Sequence, residues 1–112
     1  ETFNDVQENL DISDTLRKKN VFALKVNGDS MVDAYIADGD MVLMEPINDL
    51  YSLRNGTIVS ALVHGNGTTL KYFFKRGNKV SLEAANPAYE PLIIDPDQLV
   101  IQGKLLAVWR KI

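Results

Sequence analysis

Short apolar runs, each stopped by glycine, asparagine or proline, constrain this chain more than any other feature. VFALKV over residues 21–26 stops at Asn27-Gly28, and MVLMEP over 41–46 closes on Pro46. TIVSALVHG over 57–65 runs into Gly65-Asn66-Gly67, a hairpin signal. The return run TTLKYFFKRG, over 68–77, stops at Gly77-Asn78, and KVSLEAAN follows over 79–86. These runs are rich in β-branched and aromatic residues, and none sustains the 3.6-residue apolar period of an amphipathic helix. The pattern predicts a mostly β fold of short strands.

The exceptions are few. SMVDAYIA over 30–37 reads as one or two helical turns, followed by a turn at Asp38-Gly39-Asp40. Residues 47–56 read as a loop, NPAYEP over 86–91 as an irregular one, and PLIID follows it. The last run, QLVIQGKLLAVWRKI, is β-rich and is expected to break near Gly103. Residues 1–20 are polar apart from Phe3, Val6, Leu10, Ile12 and Leu16, and short helical or extended pieces both fit there. No repeat, low-complexity tract or linker divides the chain, so residues 1–112 are expected to form one domain.

Composition narrows the function classes. The 112 residues are 46% hydrophobic, enough for a single core. Twelve Lys+Arg against fifteen Asp+Glu leave a net charge of −3, whereas binding a nucleic-acid backbone needs a basic face. The pairs Lys18-Lys19 and Arg110-Lys111 are too small to reverse that balance. Without cysteine the chain has no disulfide, thiolate metal site or cysteine nucleophile. No apolar run approaches the ~20 residues of a membrane span, and the polar, acidic start is unlike a signal peptide. A cytoplasmic protein with no membrane association is expected. Glu1 stands where an initiator methionine would be, so the chain is expected to be a processing product or a fragment.

Ser30, His64, Lys71 and a group of four aspartates invite a chemical reading. Ser30 lies between a strand and a short helical turn, where its hydroxyl can project toward a substrate and successive N–H groups can meet an oxyanion. It could equally cap the turn. A serine nucleophile needs a base. His64, the sole histidine, falls beside the hairpin tip and reads as exposed. Lys71 lies in a strand where Leu70, Tyr72 and Phe74 take one face and Thr69, Lys71, Phe73 and Lys75 the other. A lysine among bulky apolar groups loses solvation, which favours the neutral amine that can take a proton from a serine. The competing reading is a lysine that snorkels to the surface. The carboxylates of Asp29, Asp33, Asp38 and Asp40 lack the ligand spacing of a cation loop, so turn formation is the simpler role, and no metal or cofactor is expected.

VFALKVNGDSMVDAYIADGDMVLMEP resembles the nucleophile region of LexA-type repressors, UmuD polymerase-accessory proteins and phage repressors, the peptidase S24 family of serine–lysine autoproteases. Their pattern, G-x-S-M followed by D-G-D and a strand, stands here as Gly28-Asp29-Ser30-Met31 and Asp38-Gly39-Asp40. Thr68-Thr69-Leu70-Lys71 resembles the family's lysine-bearing strand, and NPAYEPLIID with IQGKLLAVWRKI resembles its closing loop and last strand. Together these cover roughly residues 10–112.

The resemblance implies a bent β-sheet domain with short helical turns, the LexA and signal-peptidase type of fold. It also implies a Ser30–Lys71 catalytic dyad, with the backbone N–H groups of Asp29 and Ser30 as the oxyanion hole. In the family the substrate is a bond in the protein's own chain, commonly Ala–Gly, upstream of this domain. Cleavage is stimulated by RecA filaments on single-stranded DNA and relieves repression of DNA-damage genes. Repressors of the family dimerise through this domain and reach operator DNA through an N-terminal helix-turn-helix domain, which this sequence lacks together with an Ala–Gly bond. The stretch Leu105-Leu106-Ala107-Val108-Trp109 suits the homodimer contact or a core strand. The closing residues favour a LexA-type repressor; a UmuD-like polymerase-accessory subunit and a dimerisation module without catalysis are the alternatives.

Overall fold

The computed structural model describes residues 2–9 and 20–110. What the sequence suggests for residues 10–19 and 111–112, Leu10, Ile12, Leu16, Lys18-Lys19 and the end of the last run included, lies outside the described residues. Among the described residues eight strands form: β1 (Val6–Asn9), β2 (Phe22–Val26), β3 (Met41–Pro46), β4 (Thr57–Val63), β5 (Gly67–Arg76), β6 (Lys79–Glu83), β7 (Leu92–Ile94) and β8 (Leu99–Trp109). They make one antiparallel sheet in the order β1-β2-β3-β8-β4-β5-β6-β7. The mostly β expectation holds. The polar start contributes an extended piece, β1, and residues 30–37 yield a single 3-10 turn at Val32–Ala34. That turn ends at Tyr35, whose φ of 61° is left-handed.

Alternation along the strands sorts the side chains into two apolar clusters. Val59, Ala61 and Val63 of β4 pack with Phe73 of β5, Val80 and Leu82 of β6, and Leu99 and Ile101 of β8. Leu24, Val26, Val42 and Met44 of β2 and β3 pack with Leu70, Ala85, Met31 and Ile36. Met31 and Ile36, each 1% exposed, bracket the 3-10 turn and pin it to the sheet. Each such buried side chain contributes about 1.5–3 kcal/mol of transfer free energy.

β8 does not break at Gly103. It runs from Leu99 to Trp109, paired with β3 on one side and β4 on the other. A Cβ at Gly103 would lie 2.8 Å from the Glu45 carbonyl oxygen and 2.9 Å from Phe22 Cζ. The glycine therefore permits close packing where the sequence suggested an end. Leu106 is the extra residue opposite Leu43/Met44, and Gln102 the extra one opposite Ser60/Ala61. Two bulges on one strand add bend to the ordinary twist of the sheet.

The bend closes a gap that the strand order leaves open. β1 and β5 are five steps apart in the sheet, yet Phe3 N–H donates to the Asn66 carbonyl at 2.6 Å. Leu70 N–H donates to the Asp5 carboxylate at 2.9 Å. Residues 2–5 thus lie against the start of β5. Among the described residues no helix is long and apolar enough to cross a membrane.

Candidate active site

β2 delivers the chain to a turn that two other segments hold in place. Gly28 adopts φ 90°, a left-handed conformation that suits glycine, and its N–H donates to Asp38 Oδ1 at 2.7 Å. Gly39 N–H donates to the Val26 carbonyl at 2.8 Å, and Val26 N–H donates to the Asp40 carbonyl at 2.8 Å. Asp38-Gly39-Asp40 therefore builds a turn beneath the Gly28-Asp29-Ser30-Met31 segment, the structural role its spacing suggested. Among the described residues no group of three His, Cys, Asp or Glu side chains could hold a metal ion.

Asp40 is 2% exposed and meets Arg110, whose Nε and Nη2 donate to its two oxygens at 2.8 and 2.7 Å. The bond from Arg110 holds the Asp40 carboxyl below its usual range; burial opposes this, and the Ala37 N–H adds to the lowering.

With Met31 anchored in the core, Ser30 faces β5. The structure brings Ser30 Oγ and Lys71 Nζ to 3.4 Å, both residues being less than a tenth exposed. Lys71 does not snorkel. Its Nζ also donates to Thr69 Oγ1 at 2.5 Å and to Asp5 Oδ2 at 3.2 Å, and it lies 5.4 Å from the centre of the Phe3 ring. Ser30 does not cap the 3-10 turn, whose N-cap position is Met31 and which has no side-chain cap. His64 is exposed at the hairpin end, beside Gln98 and Val100 rather than in the cleft that holds Lys71.

The β6–β7 loop supports the serine turn from its far side. Asn86 Nδ2 donates to the Asp29 carbonyl at 2.9 Å, and Tyr89 Oη donates to Asp29 Oδ1 at 2.7 Å. Asp33 N–H donates to the Ala85 carbonyl at 2.8 Å, while Ala85 N–H points at Met31 Sδ. Among the described residues, the N–H groups of Asp29 and Ser30 meet no protein acceptor.

A family model described as Peptidase S24-like matches residues 1–106. The chain belongs to the Peptidase S24-like family. At family level it is therefore a serine peptidase of the self-cleaving, serine–lysine kind that includes the LexA and UmuD proteins. The curled antiparallel sheet agrees with the S24 fold.

Sequence reasoning missed several residues around this S24-like site. Asp5 sits in a polar stretch 66 residues from Lys71, and Asn86 and Tyr89 lie 57 and 60 residues from the Asp29 groups they bond. The sequence marked residues 86–91 as an irregular loop that resembles the family's closing loop, but assigned no role to Asn86 or Tyr89.

Proposed function

We propose that Ser30 and Lys71 are the catalytic dyad of a self-cleaving serine endopeptidase, carried by the C-terminal domain of a LexA-type repressor. One observation carries the reading: a buried lysine nitrogen 3.4 Å from a buried serine oxygen, beside two N–H groups without protein acceptors among the described residues. In the reaction Ser30 Oγ attacks a peptide carbonyl carbon while Lys71, as the neutral amine, takes the hydroxyl proton. The tetrahedral oxyanion accepts hydrogen bonds from the Asp29 and Ser30 N–H groups. Collapse expels the amine, which receives the proton from Lys71. Water, activated by the same lysine, then hydrolyses the acyl-enzyme and restores Ser30.

The substrate in this reading is a bond of the protein's own chain, and cleavage answers a RecA filament on single-stranded DNA in the cytoplasm. Homodimerisation belongs to this chain, and operator binding to a helix-turn-helix domain outside it. The acidic net charge of −3 supports that division. A helix-turn-helix segment upstream in the gene is the result expected for a repressor, whereas a short arm there would favour a UmuD-like subunit.

The dyad is tested by treating the chain with a serine-directed fluorophosphonate and locating the adduct by mass spectrometry. Labelling at Ser30, reduced at least about a hundredfold in Lys71→Ala, is the expected outcome. Labelling that persists in that variant would remove the lysine from its role.

A further inference from the structure

Asp5 Oδ2 accepts three hydrogen bonds: from Thr69 Oγ1 at 2.8 Å, Leu70 N at 2.9 Å and Lys71 Nζ at 3.2 Å. Lys71 in turn has three polar neighbours, Asp5, Ser30 and Thr69, which match the three donors of an ammonium group. In this arrangement the nitrogen donates to Ser30. A general base must do the reverse and accept the serine proton, so how the nitrogen is held against Ser30 matters for the reaction.

We propose that Asp5 is a positioning residue for the dyad: its carboxylate, held by Thr69 and the Leu70 N–H, fixes the Lys71 nitrogen against Ser30 and places a negative charge beside it. The proposal rests on the Ser30–Lys71 reading and deepens it.

The charge of Asp5 matters more than its shape. An asparagine could accept the same three bonds, so the carboxylate adds a counter-charge. The side chains of Lys71 and Asp5 are 10% and 14% exposed, where salt screens a pair far less than at the surface. Among the described residues Asp5 Oδ1 is buried with no hydrogen-bond partner, an unfavourable state for a residue that serves only to anchor the chain. The Phe3 ring lies 5.4 Å from the same nitrogen and helps to enclose it.

Among the described residues the other titratable groups around the cleft are Glu90 and Tyr89, on its rim, and Asp29, which accepts from Tyr89. Among the described residues the ion pair of Lys71 is to Asp5, not to these. Residues 2–5 therefore bring the counter-ion to a lysine on a strand five steps away in the sheet.

The test is the pH profile of Ser30 labelling by the fluorophosphonate in the wild-type chain and in Asp5→Asn and Asp5→Glu. Asp5→Asn should reach half of its own maximum at lower pH and label about tenfold faster than wild type at neutral pH, the scale of losing an opposite charge at close range. Asp5→Glu should stay near the wild-type profile. An Asp5→Asn profile that superimposes on wild type, or moves to higher pH, overturns the proposal. If Asp5→Asn does not fold, the Asp5 carboxyl carbon-13 resonance of the wild-type chain decides. A step at the pH where labelling rises is expected, and a flat trace there overturns the coupling. Failure of wild-type Ser30 to label at any pH would instead sink the dyad reading itself, a result distinct from a labelled protein that ignores Asp5.

Discussion

Removing one member of the buried polar group need not have the same effect as removing another. Ser30→Ala deletes a hydroxyl 3.4 Å from Lys71 while Asp5 and Thr69 still hold the lysine. It should abolish labelling yet change unfolding free energy by no more than about 1 kcal/mol. Lys71→Ala leaves the Asp5 carboxylate sheltered without its counter-ion, and a loss of about 1–3 kcal/mol is expected from urea unfolding.

Asp40 supplies the acid-sensitive contact. Its carboxyl is held below the usual range chiefly by Arg110, so the contact contributes fully above the unfolded-state value near 3.8 and is lost as pH falls through the lower folded value. Urea midpoints for wild type and Arg110→Ala should therefore differ at neutral pH and converge on acidification. A gap that stays constant below pH ~4 would contradict this sign. Because the Arg110 side chain is 55% exposed, the neutral gap should be modest. At this scale the sequence was legible only in part. Ser30 and Lys71 belong to recognisable motifs, but Arg110 reaches Asp40 across 70 residues and Asp5 reaches Lys71 across 66, separations that no local pattern encodes.

Elements were read best where alternation and turn chemistry agreed. β2, β3, β4 and β6 fall within the runs that Asn-Gly, Gly-Asn and proline signals had marked, and β5 exceeds its run only by Gly67, because a strand paired on one buried face must alternate. β1 was obscure: it has four residues, and Val6 is its sole apolar one. The 30–37 segment came out shorter than a helix because Met31 and Ile36 are both drawn into the core, which leaves room for one 3-10 turn between them.

Gly103 misled the reading because a glycine in a strand looks the same whether the strand ends or a neighbour approaches. Here the Glu45 backbone and the Phe22 ring occupy the space of a side chain. Gly103→Ala should therefore destabilise by about 1–3 kcal/mol, measured as a lower urea midpoint at unchanged slope. A neutral substitution would mean that β3 and β2 yield easily. Met31→Ala should cost about 2–5 kcal/mol and slow Ser30 labelling as well, since the turn that carries the serine loses its anchor.

Across the whole molecule, the same curl that assembles the cleft exposes one end of β8. β4 pairs with β8 from Leu99 to Lys104, whereas β3 pairs with it from Gly103 to Trp109. Beyond Lys104, no strand among the described residues covers the edge of β8 that faces away from β3. Leu106, Val108 and Trp109 on this stretch are 51%, 40% and 60% exposed. An uncovered edge carrying apolar side chains invites pairing with another strand. A second copy related by a two-fold axis would offer the same edge antiparallel, giving a closed, self-complementary contact. The proposed homodimer is therefore expected to form through residues 105–109. Trp109→Asp, which places a charge on that edge while leaving Ser30 and Lys71 untouched, should shift sedimentation from dimer toward monomer and leave labelling in place. An unchanged sedimentation profile would move the contact off β8, and loss of labelling together with dissociation would mean that the cleft depends on the partner copy.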